Sequence, residues 1–342
     1  MKTIKTGLAA FGLSGRVFHA PFLHLHEGFE LCAVVERTKN LAQAIYPDIK
    51  TVRSFEELLN EPIDLVIINT PDPTHYEFCR MAVEAGKHVV VEKPFVFSSE
   101  QARELIELAQ SRQVLLTVYQ NRRFDGDFLT VQEILKQEKL GRIVEFQSAF
   151  QRYRPQLSPI AWKEQAQGPV GITYNLCSHL SDQALVLFGK PEGIWARMDS
   201  QREGSQIDDY CDMRLIYPHL QVSLRAGMLI REPGPRFAVH GTAGSYVKYG
   251  LDPQEGILRS GGQPTRGPWG QEPQTEWGIL HTDAGRQPYP TIAGNYLSYY
   301  DNLYQALCEN GTPYVTPDDM LTDVRMLEAA FESAQSGRII SL

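Results

Sequence analysis

The run "TIKTGLAAFGLSGRVFHA" (residues 3–20) decides the fold. Residues 3–12 read as an apolar strand and 14–25 as a helix, and the two meet at Ala10-Phe11-Gly12-Leu13-Ser14-Gly15. A strand that turns into a helix through glycines exposes backbone N–H groups to an anion, and the helix N-terminus adds its dipole. The spacing is that of the dinucleotide fingerprint with alanine at its first glycine. Gly12 would let a pyrophosphate approach the backbone, and Gly15 would let the helix pack closely on the strand. Glu36 follows about 20 residues on, where the fingerprint expects an acidic residue. A phosphate loop of the kinase or ATPase type is a competing match, because Gly7 and Gly12 enclose four residues and Ser14 follows. It fails at Leu13, which stands where the phosphate-binding lysine should be.

Outward from this turn, strand patterns at 29–36, 63–70, 87–92 and 114–120 alternate with helical patterns at 40–46, 54–60, 75–86 and 99–112. Ser54 and Glu57 have the spacing of a capping box. Continuous apolar strands between amphipathic helices predict a Rossmann-type, doubly wound parallel sheet covered on both faces. In such sheets ligands lie beyond the carboxyl ends of the strands. That rule gathers the glycine turn, Thr70-Pro71 and Glu92-Lys93-Pro94, with His75 and Asn121, as candidate cofactor contacts. At the rim, the Lys93 charge can be aimed at a substrate oxygen, with Pro94 fixing the direction of the chain; an isolated Glu-Lys-Pro would otherwise read as a solvated turn. Glu36 and Arg37 point to different cofactors, since a carboxylate accepts from the adenosine ribose hydroxyls whereas a guanidinium welcomes a 2'-phosphate. NAD and NADP both stay open, with a slight lean to NADP if Glu36 turns away.

The 342 residues exceed the usual span of one core, and 42% apolar with 22% charged residues is ordinary globular composition. A net charge of -8 argues against nucleic acid as a partner. No apolar run approaches the roughly 18 residues of a membrane helix, and no cleavage site follows the N-terminus, which predicts a cytoplasmic protein. The five cysteines lack the spacing of a zinc or redox motif, so reduced thiols and no metal site are expected.

After residue 123 the pattern changes, which predicts an N-terminal domain over 1–122 and a C-terminal α+β domain over 123–342. A helix at 126–138 precedes strand-like segments at 143–153, 193–201, 210–217, 220–229 and 236–241, whose alternation suggests antiparallel pairing. Residues 252–293, rich in Gly, Pro and Gln, read as a long excursion of loops, and helices close the chain at about 295–309 and 317–335. If 173–189 is helical, Asn175, His179 and Asp182 share a face. Histidine suits proton transfer near neutral pH, so His179 is a natural acid/base, although a histidine bonded to a carboxylate three residues on is often structural. Arg122, Arg123, Tyr153, Arg154 and Trp162, with Lys93, Asn175 and His179, offer the hydrogen-bonding and rigid planar groups that can fix a substrate.

The chain resembles the glucose-fructose oxidoreductase, inositol dehydrogenase and MocA (Gfo/Idh/MocA) family, and within it the branch containing bacterial scyllo-inositol dehydrogenases. The matching stretches are "AFGLSGRVFHAP", "NTPDPTHYEFCRMAVEAGKHVVVEKPF", "VYQNRRFDGDF", "FQRYRP", "GITYNLCSHLSDQALVLFG" and "SYVKYGLDPQE". The resemblance implies a Rossmann domain followed by a domain with an open, largely antiparallel sheet that forms the substrate wall and often the subunit interface of a homodimer or homotetramer. It implies an NAD(P)-dependent oxidoreductase acting on a cyclic polyol, sugar or related carbonyl compound. In that scheme Lys93 is catalytic or positions substrate, His179 handles the hydroxyl proton and Asn175 orients the substrate. Many members carry aspartate where this chain has Asn175, and asparagine cannot hold a charge or take a proton. Two other readings follow: a cofactor-binding regulator or sensor without catalysis, and a bound nicotinamide recycled during glycoside cleavage.

Overall fold

A computed structural model describes residues 2–158, 170–267, 269–309 and 311–342. The chain forms two compact units: Met1–Asn121, Gln254–Trp269 and Asn295–Leu321 make the first, and Arg122–Pro253, Gly270–Gly294 and Thr322–Leu342 the second. Neither unit is one continuous segment, as a single division after 122 would have it.

From the N-terminus the elements are β1 (Ile4–Leu8), α1 (Ala20–Leu25), β2 (Phe29–Val35), α2 (Leu41–Ile45), β3 (Lys50–Val52), α3 (Phe55–Leu59), β4 (Leu65–Ile68), α4 (His75–Glu84), β5 (His88–Val91), α5 (Ser99–Ser111) and β6 (Leu116–Val118). The six strands run parallel in the order β3-β2-β1-β4-β5-β6, the doubly wound dinucleotide-binding arrangement. β4 is buried at every position and β5 at all but its first, which is why both read as unbroken apolar runs. Ser54 Oγ accepts the Glu57 N–H at 3.2 Å and caps α3, while Glu57 reaches the Arg53 N–H, one residue before Ser54.

The chain continues through α6 (Gly126–Lys136), β7 (Ile143–Gln151), α7 (Ser178–Phe188), β8 (Gly193–Asp199), β9 (Tyr210–Tyr217), β10 (Leu220–Gly227), β11 (Phe237–Gly241), β12 (Gly244–Lys248), α8 (Gln254–Arg259), β13 (Gly278–Thr282), β14 (Gly285–Tyr289), α9 (Leu297–Cys308), α10 (Pro317–Ser336) and β15 (Ile340–Ser341). Its nine strands form one mixed sheet, β14-β13-β12-β11-β7-β10-β9-β8-β15. Pairing is antiparallel except between β7 and β10, which run parallel from Glu145/Gln221 to Gln151/Gly227. The sheet is thus largely antiparallel, as expected, with this one parallel pair inside it. Residues 252–293 are also more than loops, since they hold α8 and the β13–β14 hairpin.

In the first unit, α9 returns three tyrosines to the N-terminal elements. The Tyr300 ring stacks on Phe22 of α1 with centroids 5.5 Å apart, the Tyr299 hydroxyl donates to Val118 O at the end of β6, and that of Tyr304 to Lys2 O.

Candidate active-site residues

The glycine turn is built as a tight joint. A Cβ on Gly15 would lie 2.5 Å from Ala10 O and 3.0 Å from Asn69 Nδ2, so only glycine lets the helix start against the strand here. A Cβ on Gly12 would meet nothing within 4 Å, and Gly12, Leu13 and part of Ser14 face solvent. The helix opens with a π turn, Gly15–His19, in which the Ala20 N–H reaches back to Gly15 O. Asn69, one residue past β4, holds the turn from below: Oδ1 accepts the Ala10 N–H at 2.9 Å and Nδ2 donates to Ala10 O at 2.8 Å.

The lysine turn is tied to the glycine turn through one carboxylate. Glu92 Oε1 accepts from the Ser14 hydroxyl and lies 3.0 Å from His19 Nε2, while Oε2 accepts the Lys93 N–H at 3.3 Å. Burial pushes the Glu92 carboxyl up, but His19, Ser14 and the Lys93 charge outweigh it and hold the group below the usual carboxylate range. Lys93 is half-buried, and its peptide bond to Pro94 is cis. His75 lies fully buried between two carbonyls, Pro94 O at 2.8 Å and Thr70 O at 3.1 Å. Carbonyls only accept and a neutral imidazole carries one N–H, so His75 sits between the two turns with its ring turned to these carbonyls and acts on this rim through Pro94 rather than by facing a ligand. Thr70 and Pro71 are fixed in turn by Thr74, whose hydroxyl pairs with that of Thr70 at 2.6 Å and donates to Pro71 O at 2.7 Å.

Glu36 turns into the protein. Its Oε1 accepts the Leu41 N–H at 3.0 Å and its Oε2 the Ala42 N–H at 2.9 Å, which places the carboxylate on the first turn of α2. Arg53 stiffens the same loop by donating to Glu36 O and Lys39 O at 2.7 and 2.8 Å. A cleft of about 270 Å³ is left between the glycine turn and this loop, lined by Phe11, Gly12, Arg16, Glu36, Arg37, Thr38 and Lys39 among others. The open space above Gly12, the bare N–H groups of the turn and the cationic cleft beside it fit the pyrophosphate and adenosine end of a dinucleotide.

In the second unit, α7 is preceded by a π turn, Thr173–Cys177, in which the Ser178 N–H reaches Thr173 O. Asp208 holds the start of this turn, its Oδ2 accepting from the Thr173 N–H at 2.8 Å and hydroxyl at 2.6 Å, and burial raises its carboxyl pKa. Asn175 is exposed on the π turn and His179 is buried one turn later. The expected regular four-and-three spacing therefore begins only at Ser178, and the wider turn changes how Asn175 is presented. Asp182 does not stand idle beside His179, because its carboxylate takes the buried Arg123 guanidinium at 2.6 to 3.1 Å. Arg123 is thus a brace between the 121–124 turn and α7. Its neighbour Arg122 pairs with Asp125 at 3.0 Å and lies over the Phe150 ring, whose centroid is 6.4 Å from that of His179. Tyr153 is exposed under the Arg231 guanidinium, 3.9 Å from its ring, and Arg154 is exposed with its N–H on Met228 O. Asn121 is buried in the turn after β6, and Trp162 lies outside the described residues. Among the described residues no cluster of His, Cys, Asp and Glu could hold a metal ion, and no helix is long and apolar enough to cross a membrane.

Sequence reading did not find Asn69, His19 or Tyr300. Asn69 has backbone partners that leave no trace in the sequence, and Tyr300 is 281 residues from the histidine it meets.

The family model described as "Oxidoreductase family, NAD-binding Rossmann fold" matches residues 4–120, and "Oxidoreductase family, C-terminal alpha/beta domain" matches 132–342. The scyllo-inositol 2-dehydrogenase (NADP(+)) IolW of Bacillus subtilis is 37% identical, over 99% of this chain and 96% of that protein. The crystal structure of a putative oxidoreductase from Bacteroides fragilis matches with a TM-score of 0.92 at 49% identity, covering 100% of both chains. The oxidoreductase yvaA from Bacillus subtilis matches with a TM-score of 0.96 at 36% identity, over 100% of this chain and 99% of that one.

Proposed function

Because the chain belongs to the Gfo/Idh/MocA family of NAD(P)-binding oxidoreductases, we propose that it is a dehydrogenase or reductase acting at a CH–OH carbon of a cyclic polyol, sugar or related carbonyl compound, with NADP preferred over NAD. The observation that carries the cofactor preference is the Glu36 carboxylate, whose two oxygens are taken by the Leu41 and Ala42 N–H groups where Glu36 lines the cleft beside Arg37, Thr38 and Lys39. A carboxylate free to meet the ligand would repel a 2'-phosphate, whereas one occupied by backbone N–H groups leaves Arg37 and Lys39 to attract it. The substrate class is supported by the inositol dehydrogenases among the relatives, one of which carries NADP(+) in its name.

When bound, the nicotinamide supplies the acceptor or donor of the hydride. Lys93 places positive charge at the substrate oxygen, where an alkoxide develops on oxidation, and such stabilisation is worth about 10²–10³ in rate. His179 takes the hydroxyl proton or returns it, a role worth roughly 10²–10⁴. Asn175 orients a neighbouring hydroxyl without adding charge. Glu92, Asn69 and His75 keep the two turns of the first unit in place.

Absorbance of the reduced cofactor, followed against inositols, aldoses and keto-sugars with NADP and NAD in parallel, tests this reading. Turnover of a panel member with NADP at least about tenfold more efficient than with NAD is expected. Binding of NADP without turnover of any panel member would favour the sensor, and equal use of both nucleotides would remove the preference.

A further inference from the structure

His19 is fully buried, and both of its ring nitrogens have partners: Nε2 is 3.0 Å from Glu92 Oε1, and Nδ1 is 2.8 Å from the Tyr300 hydroxyl. Glu92 is the group that joins the glycine turn, through Ser14, to the lysine turn, through the Lys93 N–H. The far side of the histidine has a spare acceptor, because Phe18 O lies 2.8 Å from the Tyr300 hydroxyl and 3.0 Å from that of Tyr119. Two proton arrangements therefore satisfy every group. With a neutral ring, Nε2–H donates to Glu92 and the Tyr300 O–H donates to Nδ1, while Tyr119 alone serves Phe18 O. With an imidazolium, Nδ1–H donates to the Tyr300 oxygen, and the Tyr300 O–H rotates to Phe18 O. Rotation of one hydroxyl thus accommodates the added proton, and no buried polar atom loses its partner in either state.

We infer that His19 is a positioning residue for the nucleotide-binding rim, which holds Glu92 against Ser14 and Lys93 and makes the shape and charge of that rim depend on its own protonation. The groups that face it are Glu92, with the Lys93 ammonium beyond, and the phenols of Tyr119 and Tyr300. The protonated ring tightens the hold on the carboxylate and adds positive charge beside the glycine turn, which favours a bound pyrophosphate. Only this binding consequence rests on the nucleotide reading; the bridge stands without it.

The test is nitrogen–proton NMR of the ligand-free protein across a pH titration that follows the His19 ring. The amide signals of Gly12, Ser14 and Gly15 are expected to shift with the midpoint of the His19 ring, and that shift is expected to vanish in His19→Gln. Glutamine keeps an N–H donor toward Glu92 but cannot titrate, so it separates charge from contact, whereas His19→Ala removes both. NADP affinity by calorimetry is the second readout. His19→Gln is expected to bind about fivefold more weakly than the native protein on the acid side of the ring midpoint that NMR finds and within about twofold of it on the alkaline side, where linkage to the ring proton fades. Turn amides that ignore the His19 titration, or that respond equally in His19→Gln, overturn the inference. Native protein that binds neither nucleotide while its turn amides still follow His19 would instead sink the cofactor reading and leave the bridge intact.

Discussion

Asn69 and Ala10 close a two-bond ring, the amide of one side chain serving both the N–H and the C=O of one backbone residue at 2.9 and 2.8 Å. Only a carboxamide can do both, since it carries a donor and an acceptor on one planar group. Asn69→Ala is expected to cost about 1–3 kcal/mol through the unpaired Ala10 groups and to weaken NADP binding about tenfold. Asn69→Asp should be worse despite its shape, because a carboxylate would face the Ala10 carbonyl. Thermal unfolding and calorimetry check both variants, and an aspartate variant as stable as the native chain would show that the ring does not hold the turn.

The cofactor preference makes Arg37 and Glu36 separable. Arg37→Ala should weaken NADP binding about tenfold or more and leave NAD within about threefold, because only NADP presents the extra phosphate to the guanidinium. Glu36→Gln should leave the ratio of the two affinities unchanged and cost about 1 kcal/mol of stability, since the lost charge caps α2 instead of meeting ribose. A Glu36→Gln protein that gained NADP affinity and lost NAD affinity would show that this carboxylate does turn to the ligand.

How far the sequence reveals these features depends on what kind of partner each residue has. Every strand of the first sheet but β3 is legible, β4 most plainly, because a strand buried on both faces is apolar throughout, as Leu65-Val66-Ile67-Ile68 is. β3 is three residues of mixed burial, too short to show a period. β13 and β14 hide in a stretch of glycine and proline, with Pro288 inside an exposed edge strand where a missing N–H does no harm. Alternation in β7 and β10 tells which side chains face inward but nothing of the direction of the partner, so their parallel pairing is invisible until the sheet is built. The glycine turn, the Glu-Lys-Pro turn and the His179 helix are legible as motifs. The inward turn of Glu36 and the claim of Arg123 on Asp182 are not, because each depends on which of several partners wins in three dimensions.

Acid should loosen the rim through Glu92. Burial alone would raise this carboxyl, but His19, Ser14 and Lys93 bring it below its ordinary value of 4.5. A carboxyl depressed on folding contributes stability above its unfolded pKa, and the contribution is lost as the pH falls through the lower folded value. The native protein should therefore lose Tm as the pH falls below about 4.5, more steeply than Glu92→Gln, which has no such charge to lose. Asp208 works in the opposite sense: burial raises its carboxyl, so its share of stability is present at low pH and lost as the pH rises through the folded value. Asp208→Asn isolates that opposing slope. Identical acid limbs in native and Glu92→Gln melts would show that this carboxylate is not coupled to folding.

The Arg123–Asp182 brace gives a test inside the second unit. The two side chains are only 9% and 2% exposed, so removing one takes this ion pair from a charge that stays buried. Arg123→Met should cost roughly 3–5 kcal/mol in urea unfolding, whereas Arg123→Met with Asp182→Leu should recover most of that, as buried pairs replaced together commonly do. Additive losses in the double variant would show that the two residues do not act as a pair.

The proposed division of labour between Lys93 and His179 is tested by the form of the loss as well as by its size. Lys93→Met should lower kcat about 10²–10³-fold with little change in nucleotide affinity, because the ammonium is asked to act only on charge that develops during reaction. His179→Asn should lower kcat about 10²–10⁴-fold and also remove the limb of the pH–rate profile that reports the acid/base. Asn175→Asp adds a carboxylate on the π turn ahead of α7. If it acts on His179, that limb should move to higher pH, since a nearby anion favours the imidazolium. A His179→Asn enzyme that kept its native pH profile would transfer the proton to another group.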